Sequence, residues 1–266
     1  MKKLLSILTI STLTASIPAP LLAAVPLTNT LTSNSNSDYL PIKKNIFIPK
    51  HFVSFTIVGK GNIYFLNVDF FVLKHGATTP TKIDGINDKI NDFVVAVDSK
   101  NNVYFGTTNG IYVLNDESDT ATKIGGINSG YITKILVDSK NNIYFGTDNG
   151  VFVLKQGSDT PTKINGINGY ITSIAADSND NIYFGIKDGA FVLKHGATTP
   201  TKIDGITNKF IIDGKDNIYF GTKDEAFVLK QGTTTPTKIN GIAGFRNIAV
   251  DSKDNIYLGQ RTVYIN

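Results

Sequence analysis

Short apolar runs separated by polar turns recur along the chain from about residue 52 to its end. One copy reads YITKILVDSKNNIYFGTDNGVFVLKQGSDTPTKINGI, and we predict four strands in it, at residues 132–137, 142–147, 151–155 and 161–164. These strands are rich in Ile, Val, Tyr, Phe and Thr, and the clusters of Asp, Asn, Gly and Ser between them are typical of hairpin turns. The pattern predicts an all-β protein without helices.

An Ile-Tyr or Val-Tyr dipeptide marks the register of the repeat. Its first residue is found at Ile63, Val103, Ile143, Ile182, Ile218 and Ile256, with spacings of 40, 40, 39, 36 and 38 residues. The second and third strands of each unit are nearly continuous apolar runs, which indicates that both faces of each sheet are covered. A four-stranded unit of about 40 residues that packs between two neighbours is typical of a β-propeller blade. We therefore expect six blades.

The ends of the chain predict how the ring closes. The last unit stops after its third strand, at residues 262–265, so its fourth strand is missing. Upstream of the first unit, the segment Pro41–Ile46 resembles the fourth-strand pattern that begins at Pro161. We expect a six-bladed β-propeller over residues 39–266, closed by an N-terminal strand that completes the last blade and removes an exposed edge.

The N-terminus predicts export. Lys2 and Lys3 precede an apolar run and small residues at Ala23 and Ala24, which is the pattern of a signal peptide over residues 1–24. The apolar run is too short for a membrane-spanning helix, so we expect no transmembrane span in the mature chain. Residues 25–38 are rich in Thr, Ser and Asn and read as a flexible linker. We expect the protein to be secreted or to lie on the extracellular face of the cell membrane.

Charge and composition exclude several classes of function. Loss of residues 1–24 lowers the net charge from +4 to +2, which gives nucleic acid no concentrated basic surface to bind. The chain has no cysteine, so disulfides, thiolate metal sites and cysteine nucleophiles are excluded. The frequent use of Asn, Ile and Lys is typical of an AT-rich bacterium.

The segment VDSKNNIYFGTDNGVFVL, at residues 137–154, resembles the two-component-regulator propeller repeat and, more loosely, the NHL repeat. The resemblance extends over roughly residues 52–266. It implies propeller architecture and a role as an extracellular recognition or sensing module. The sequence departs from the regulator repeat in having Tyr where Trp is common.

The first strand of each blade is expected to line a central channel. Period-two alternation then points the residues two and four positions before a repeated Asp towards that channel, among them Val94, Leu136 and Ala175. From this set we select Ser54, counted from Val58 in the first unit, and Lys134, Ser173, Lys209 and Asn247. They predict a site for a small anionic or polyhydroxyl ligand, and the alternative is a solvated channel without a ligand.

Metal and histidine chemistry find little support in the sequence. The repeated Asp, as in Asp138, has Lys or Asn two positions later and no Glu at the twelfth position of a calcium loop, so we interpret it as a hairpin cap. His75 and His195 occupy equivalent turns and are interpreted as exposed turn residues. We expect no metal and no cofactor.

The connections between the fourth strand of one unit and the first strand of the next vary most, and they are expected to share one face of the ring. Tyr131, Tyr170, Phe245 and Arg246 lie there and are residue types favoured at binding hot spots. We therefore predict a non-enzymatic adhesin or lectin-like protein that binds a host or cell-surface protein or a glycan. The alternatives are a propeller hydrolase or lyase with a channel site and a self-associating envelope structural protein.

Overall fold

A computed structural model describes residues 54–58, 60–66, 69–88, 94–126, 130–206, 209–221, 225–242, 247–251 and 254–259. Among these residues there are five four-stranded antiparallel sheets and one two-stranded sheet, each with its strands in chain order. The all-β prediction is confirmed. No helix in the described ranges is long and apolar enough to cross a membrane.

The first three sheets follow the repeat. Sheet 1 contains β1 (Ser54–Val58), β2 (Asn62–Leu66), β3 (Phe70–Leu73) and β4 (Thr81–Lys82). Sheet 2 contains β5 (Val94–Val97), β6 (Val103–Thr107), β7 (Gly110–Leu114) and β8 (Thr122–Lys123). Sheet 3 contains β9 (Ile132–Val137), β10 (Ile143–Thr147), β11 (Gly150–Leu154) and β12 (Thr162–Ile164), so the four strands predicted there are confirmed to within a residue at each end.

The remaining sheets repeat the same order. Sheet 4 contains β13 (Ile171–Ala176), β14 (Ile182–Ile186), β15 (Gly189–Leu193) and β16 (Thr201–Ile203). Sheet 5 contains β17 (Phe210–Ile212), β18 (Ile218–Gly221), β19 (Ala226–Leu229) and β20 (Thr237–Lys238). Sheet 6 contains β21 (Asn247–Val250) and β22 (Ile256–Gly259). Residues 1–24, 25–38, the closing segment Pro41–Ile46 and residues 262–265 lie outside the described ranges, so export, the linker and ring closure stay predictions.

The sheets are stacked through their first strands. β1 lies beside β5, β5 beside β9, β9 beside β13, β13 beside β17 and β17 beside β21. The fourth strands are short and their Thr-Lys residues are exposed. First strands inside and fourth strands outside are the arrangement of blades in a propeller.

The core lies between consecutive sheets and is built by the repeated Tyr-Phe pair. Phe105, Phe145, Phe184 and Phe220 are among the most deeply buried side chains. The rings of Tyr64 and Phe105, on neighbouring sheets, lie 5.8 Å apart edge to face, and those of Tyr144 and Phe184 lie 6.3 Å apart. The repeated tyrosines therefore pack between sheets.

An aspartate caps the first hairpin of sheets 2 to 6. In sheet 3, Asp138 Oδ1 accepts hydrogen bonds from the backbone amides of Lys140 and Asn142 at 2.9 and 2.8 Å, and Oδ2 accepts from Asn142 Nδ2 at 2.8 Å. Asn142 Oδ1 in turn accepts from the amide of Gln156 in the next turn at 3.0 Å. Burial and the Asp138 carboxylate raise the pKa of Tyr144 to about 12. The capping interpretation is confirmed.

The same hairpins connect neighbouring sheets. The fourth residue of the hairpins in sheets 3 to 6 has a positive φ, as at Asp216 with 60°, and its side chain reaches back to the preceding sheet. Asp216 accepts from the amide of Ser178 at 2.8 Å and from its Oγ at 2.6 Å. Asn141 makes the equivalent pair of bonds with Ser99 at 2.9 and 2.7 Å. We refer to these contacts between hairpins as the clasp.

Candidate binding face

Two kinds of loop meet on one side of the sheet series. A Cβ on Gly130, in the connection before β9, would lie 3.4 Å from both Thr147 Cβ and Asp148 Oδ1, in the turn between β10 and β11. Asp88, in the connection before β5, contacts Thr107 and Asn109 of the turn between β6 and β7. The connections and the second-to-third-strand turns therefore form one surface, which we call the connection face.

The structure brings Tyr131 and Tyr170 together on the connection face. Their ring centroids lie 6.5 Å apart with an interplanar angle of 30°. Tyr131 is half-buried, and Tyr170 is 47% exposed. Phe245 and Arg246, which were predicted on the same face, lie outside the described residues.

Buried isoleucines fix the position of both tyrosines. Tyr131 and Tyr170 each precede the first residue of an inner strand, and those residues, Ile132 and Ile171, are 1% and 0% exposed. The side chain of Ile171 lies against Gly146, so closely that a Cβ there would be 2.5 Å from Ile171 Cβ. The tyrosine pair is therefore held by two of the tightest contacts between sheets.

The residues predicted to line the channel have several different environments. Lys134 is half-buried, and its Nζ donates to the carbonyl oxygen of Thr133 at 2.8 Å. Ser173 is 7% exposed, and its Oγ accepts from the amide of Phe210 at 3.1 Å, which connects sheets 4 and 5. Lys209 is exposed. The side chains of Ser54 and Asn247 are outside the described part of the structure, and a ligand at this set stays a prediction.

The expectation that alternate first-strand residues face the channel is wrong for Val94, Leu136 and Ala175. Each packs against a hydrophobic cluster between two sheets. The physical reason is that a strand stacked between two neighbouring sheets has both of its faces covered, so period-two alternation separates two neighbours and not a core from a solvent channel.

Asp88 forms a side-chain cluster that the sequence analysis missed. Its Oδ2 accepts from Tyr112 OH at 2.9 Å, from Lys123 Nζ at 3.2 Å and from Thr107 Oγ1 at 3.4 Å, and its Oδ1 accepts from Asn109 Nδ2 at 3.1 Å. Burial opposes ionisation of this carboxyl, but the hydrogen bonds from Asn109, Tyr112 and Lys123 outweigh it and lower the pKa of Asp88. The sequence feature that could have revealed this cluster is Tyr112, because the corresponding third-strand residue is Phe in the neighbouring units.

The turns that contain His75 and His195 lie on the opposite face, beside the first hairpins of their sheets. His75 and His195 are exposed in their turns, as expected, and Lys140 Nζ lies 2.9 Å from His195 Nε2. A shallow cleft of about 160 Å³ lies between the first hairpin of sheet 2 and the 155–158 turn. No group of three or more His, Cys, Asp or Glu in the described residues is placed to hold a metal ion.

Comparison with known proteins supports the propeller architecture. Residues 126–149 match the family described as two component regulator propeller. No curated protein sequence is significantly similar to this chain.

Several solved structures share the fold. The extracellular domain of the putative one component system BT4673 from B. thetaiotaomicron superposes with a TM-score of 0.60 at 13% identity, over 77% of this chain and 31% of that chain. The WD40 β-propeller domain of Doa1 gives 0.60 at 12% identity, over 79% and 75%. XC5397 from Xanthomonas campestris, a gluconolactonase, gives 0.51 at 12% identity, over 75% and 80%. This chain thus has a propeller fold, and it spans about a third of the BT4673 chain.

Proposed function

We propose that the chain is a non-enzymatic binding protein that acts outside the cell and holds its ligand on the connection face. The observation that supports this proposal most directly is the Tyr131–Tyr170 pair. The two aromatic rings lie 6.5 Å apart on neighbouring connections, and Tyr170 is 47% exposed. Rigidly held tyrosines supply a large contact area at a small entropic cost, which is why they are frequent at binding hot spots. Phe245 and Arg246 are proposed to extend this face.

The extracellular location is supported by two observations. The N-terminal residues 1–24 have the pattern of a signal peptide. The similar structure from B. thetaiotaomicron is an extracellular domain. We propose that the partner is a host or cell-surface protein or a glycan.

We also propose that the six sheets close into a ring, with Pro41–Ile46 completing the last sheet. Each of the four described clusters combines the repeated tyrosine of one sheet with an inner-strand residue of the next; the pairs are Tyr64 and Val95, Tyr104 and Ile135, Tyr144 and Ile174, and Tyr183 and Phe210. At the two ends of the series, the equivalent residues are Tyr257, 55% exposed, and Phe55, 51% exposed. In the proposed ring, the face of sheet 6 that carries Tyr257 packs against the face of sheet 1 that carries Phe55, as one further interface of the same kind.

The binding proposal is tested with a glycan array and a screen of host cell-surface proteins, using the full chain. Tyr170→Ala and Tyr131→Ala should each weaken the captured interaction about tenfold or more, as truncation of an aromatic hot spot does. His195→Ala is the control, because this side chain is exposed in a turn on the opposite face. Unchanged binding by both tyrosine variants, with melting temperatures like the wild type, would refute the proposed face.

A further inference from the structure

The Asp88 cluster shows how this fold holds a carboxylate. The threonine and asparagine of the turn between β6 and β7 and the lysine of β8 converge on one carboxyl group, with Asn109 Nδ2 at 3.1 Å and Lys123 Nζ at 3.2 Å. Hydrogen bonds from charged donors to a carboxylate are the strong ones. In sheet 2 the chain supplies that carboxylate itself.

Sheet 3 repeats the donors of this cluster. Thr147 pairs with Gly150 and Phe152 with Lys163, in the register in which sheet 2 pairs Thr107 with Gly110 and Tyr112 with Lys123. Thr147 Oγ1 donates to the Gly150 carbonyl oxygen at 3.0 Å and accepts from the Asn149 amide at 3.0 Å. The sheet 2 turn has the same two bonds, at 2.9 and 3.2 Å. Sheet 3 therefore holds Asn149 and Lys163 in the same relative positions in which sheet 2 holds Asn109 and Lys123.

The chain provides no carboxylate for the sheet 3 donors from the equivalent place. The sequence Gly-Ile-Asn-Asp that ends at Asp88 becomes Gly-Ile-Asn-Ser in the next unit. Lys163 Nζ has no hydrogen-bonded or ion-paired partner among the residues that the structure describes, and neither has the Asn149 side-chain amide. Of the four corresponding lysines, Lys82, Lys123 and Lys238 are ion-paired, to Asp69, Asp88 and Glu225, and Lys202 is not ion-paired within the described residues.

These donors lie next to the tyrosine pair. Gly130 abuts the Thr147–Asp148 turn, and Tyr131 follows it directly. We propose, on the basis of the proposed function, that the ligand is a sugar bearing a carboxylate, which Asn149 and Lys163 bind while the sugar ring packs on Tyr131 and Tyr170. Convergent polar donors beside aromatic rings are the usual composition of a small-ligand site.

Asp148 modulates this site. It is an exposed carboxylate in the same turn, and its Oδ1 lies 3.4 Å from the position of a Cβ on Gly130. A negative charge near the donors repels a negatively charged ligand and weakens its binding. Its removal should therefore strengthen binding, which a purely structural role for Asp148 would not do.

The experiment is calorimetric titration of the full chain with a glucuronate-containing tetrasaccharide of hyaluronan and with the neutral chitin tetrasaccharide. We expect the acidic sugar to bind about tenfold more tightly at low salt, and Lys163→Met to abolish that preference. Asp148→Asn should raise the affinity for the acidic sugar about threefold. Lys202→Met is the matched control, since Lys202 is an equivalent lysine whose turn carries Asp188 in place of Asn149, and it should leave the preference intact.

Three results would overturn the inference: equal affinity for both sugars, equal effects of Lys163→Met and Lys202→Met, or Lys163-dependent binding of a tetraglutamate peptide without sugar binding. If neither sugar binds but the array finds another Tyr170-dependent ligand, this inference fails while the proposed function stands. If no Tyr170-dependent ligand exists, both fail.

Discussion

At the scale of single residues, the contact between Gly146 and Ile171 sets the spacing of two sheets. A Cβ on Gly146 would lie 2.5 Å from Ile171 Cβ and 2.6 Å from its Cγ2. Gly106 has the same relation to Ile132, at 2.9 Å from its Cβ. The glycine that follows the Tyr-Phe pair is therefore required by the neighbouring sheet and not by its own backbone, because φ at Gly146 is not positive.

Gly146→Ala should lower the free energy of unfolding by about 2 kcal/mol or more, since the added methyl group overpacks a closed interface. Urea denaturation measures the change. Gly125→Ala is the matched control, because Gly125 is exposed, lacks a positive φ and has open space around its Cβ position. A Gly146 variant as stable as the Gly125 variant would show that the sheets are not packed in this way.

Some side-chain roles could be predicted from the sequence and others could not. The Asp138 cap follows from local hairpin chemistry, and its donors lie two and four residues away. The contact of Lys123 with Asp88 spans 35 residues and depends on how two sheets stack, so no local pattern contains it. The variable sequence of its connection was enough to predict that Tyr170 lies on the connection face. It contains no information about the distance between Tyr170 and Tyr131.

At the scale of elements, the clasp makes each hairpin depend on its neighbour. Ser178 of sheet 4 is bound twice by Asp216 of sheet 5, and the Gly214 amide of sheet 5 donates to Asp254 of sheet 6 at 2.9 Å. These bonds cross from one sheet to the next at the rim, while the apolar clusters join the same sheets further in. Neighbouring units should therefore unfold together and not one at a time.

The clasp predicts a measurable coupling between Ser178 and Asp216. In a double-mutant cycle with Ser178→Ala and Asp216→Gly, the two changes should be non-additive by about 1 kcal/mol, because they share a hydrogen bond. Glycine is chosen at position 216 because φ there is 60°. The pair Ser158→Ala and Asp216→Gly, from separate turns, is the additive control. Additivity in both cycles would mean that the clasp does not contribute to stability.

The strands were predictable because each one carries its own apolar run. The repeat gave the same strand boundaries in several units, which made the alignment of the units certain. β9 begins and ends where the pattern placed it, at Ile132 and Val137. The orientation of its side chains was not predictable in the same way. Alternation shows that Leu136 and Val137 face opposite sides of β9, but only the structure shows that each packs against a different hydrophobic cluster.

At the scale of the whole molecule, the propeller does not determine the function. The similar structures include an extracellular domain, a WD40 domain and a gluconolactonase, at 12 to 13% identity. Function in such folds depends on the residues carried by the loops. This is why the proposal depends on Tyr131, Tyr170 and the donors beside them.

The interface that we propose between the last and first units differs from the others in sequence. The first unit reads Val58-Gly59-Lys60-Gly61-Asn62 where the third reads Asp138-Ser139-Lys140-Asn141-Asn142. Gly61 has no side chain to form the clasp that Asn141 forms with Ser99. The closed ring would therefore be joined at this interface by apolar packing and by the N-terminal strand.

Ring closure is tested most directly by distances between spin labels on Lys60, Lys140 and Lys215, which occupy the same exposed hairpin position in sheets 1, 3 and 5. The chain has no cysteine, so cysteines introduced in pairs at these positions are labelled without background. In a closed ring of six sheets the three positions form an equilateral triangle, and the three distances should agree. A distance between positions 60 and 215 clearly longer than the other two would show an open series of sheets and contradict the account.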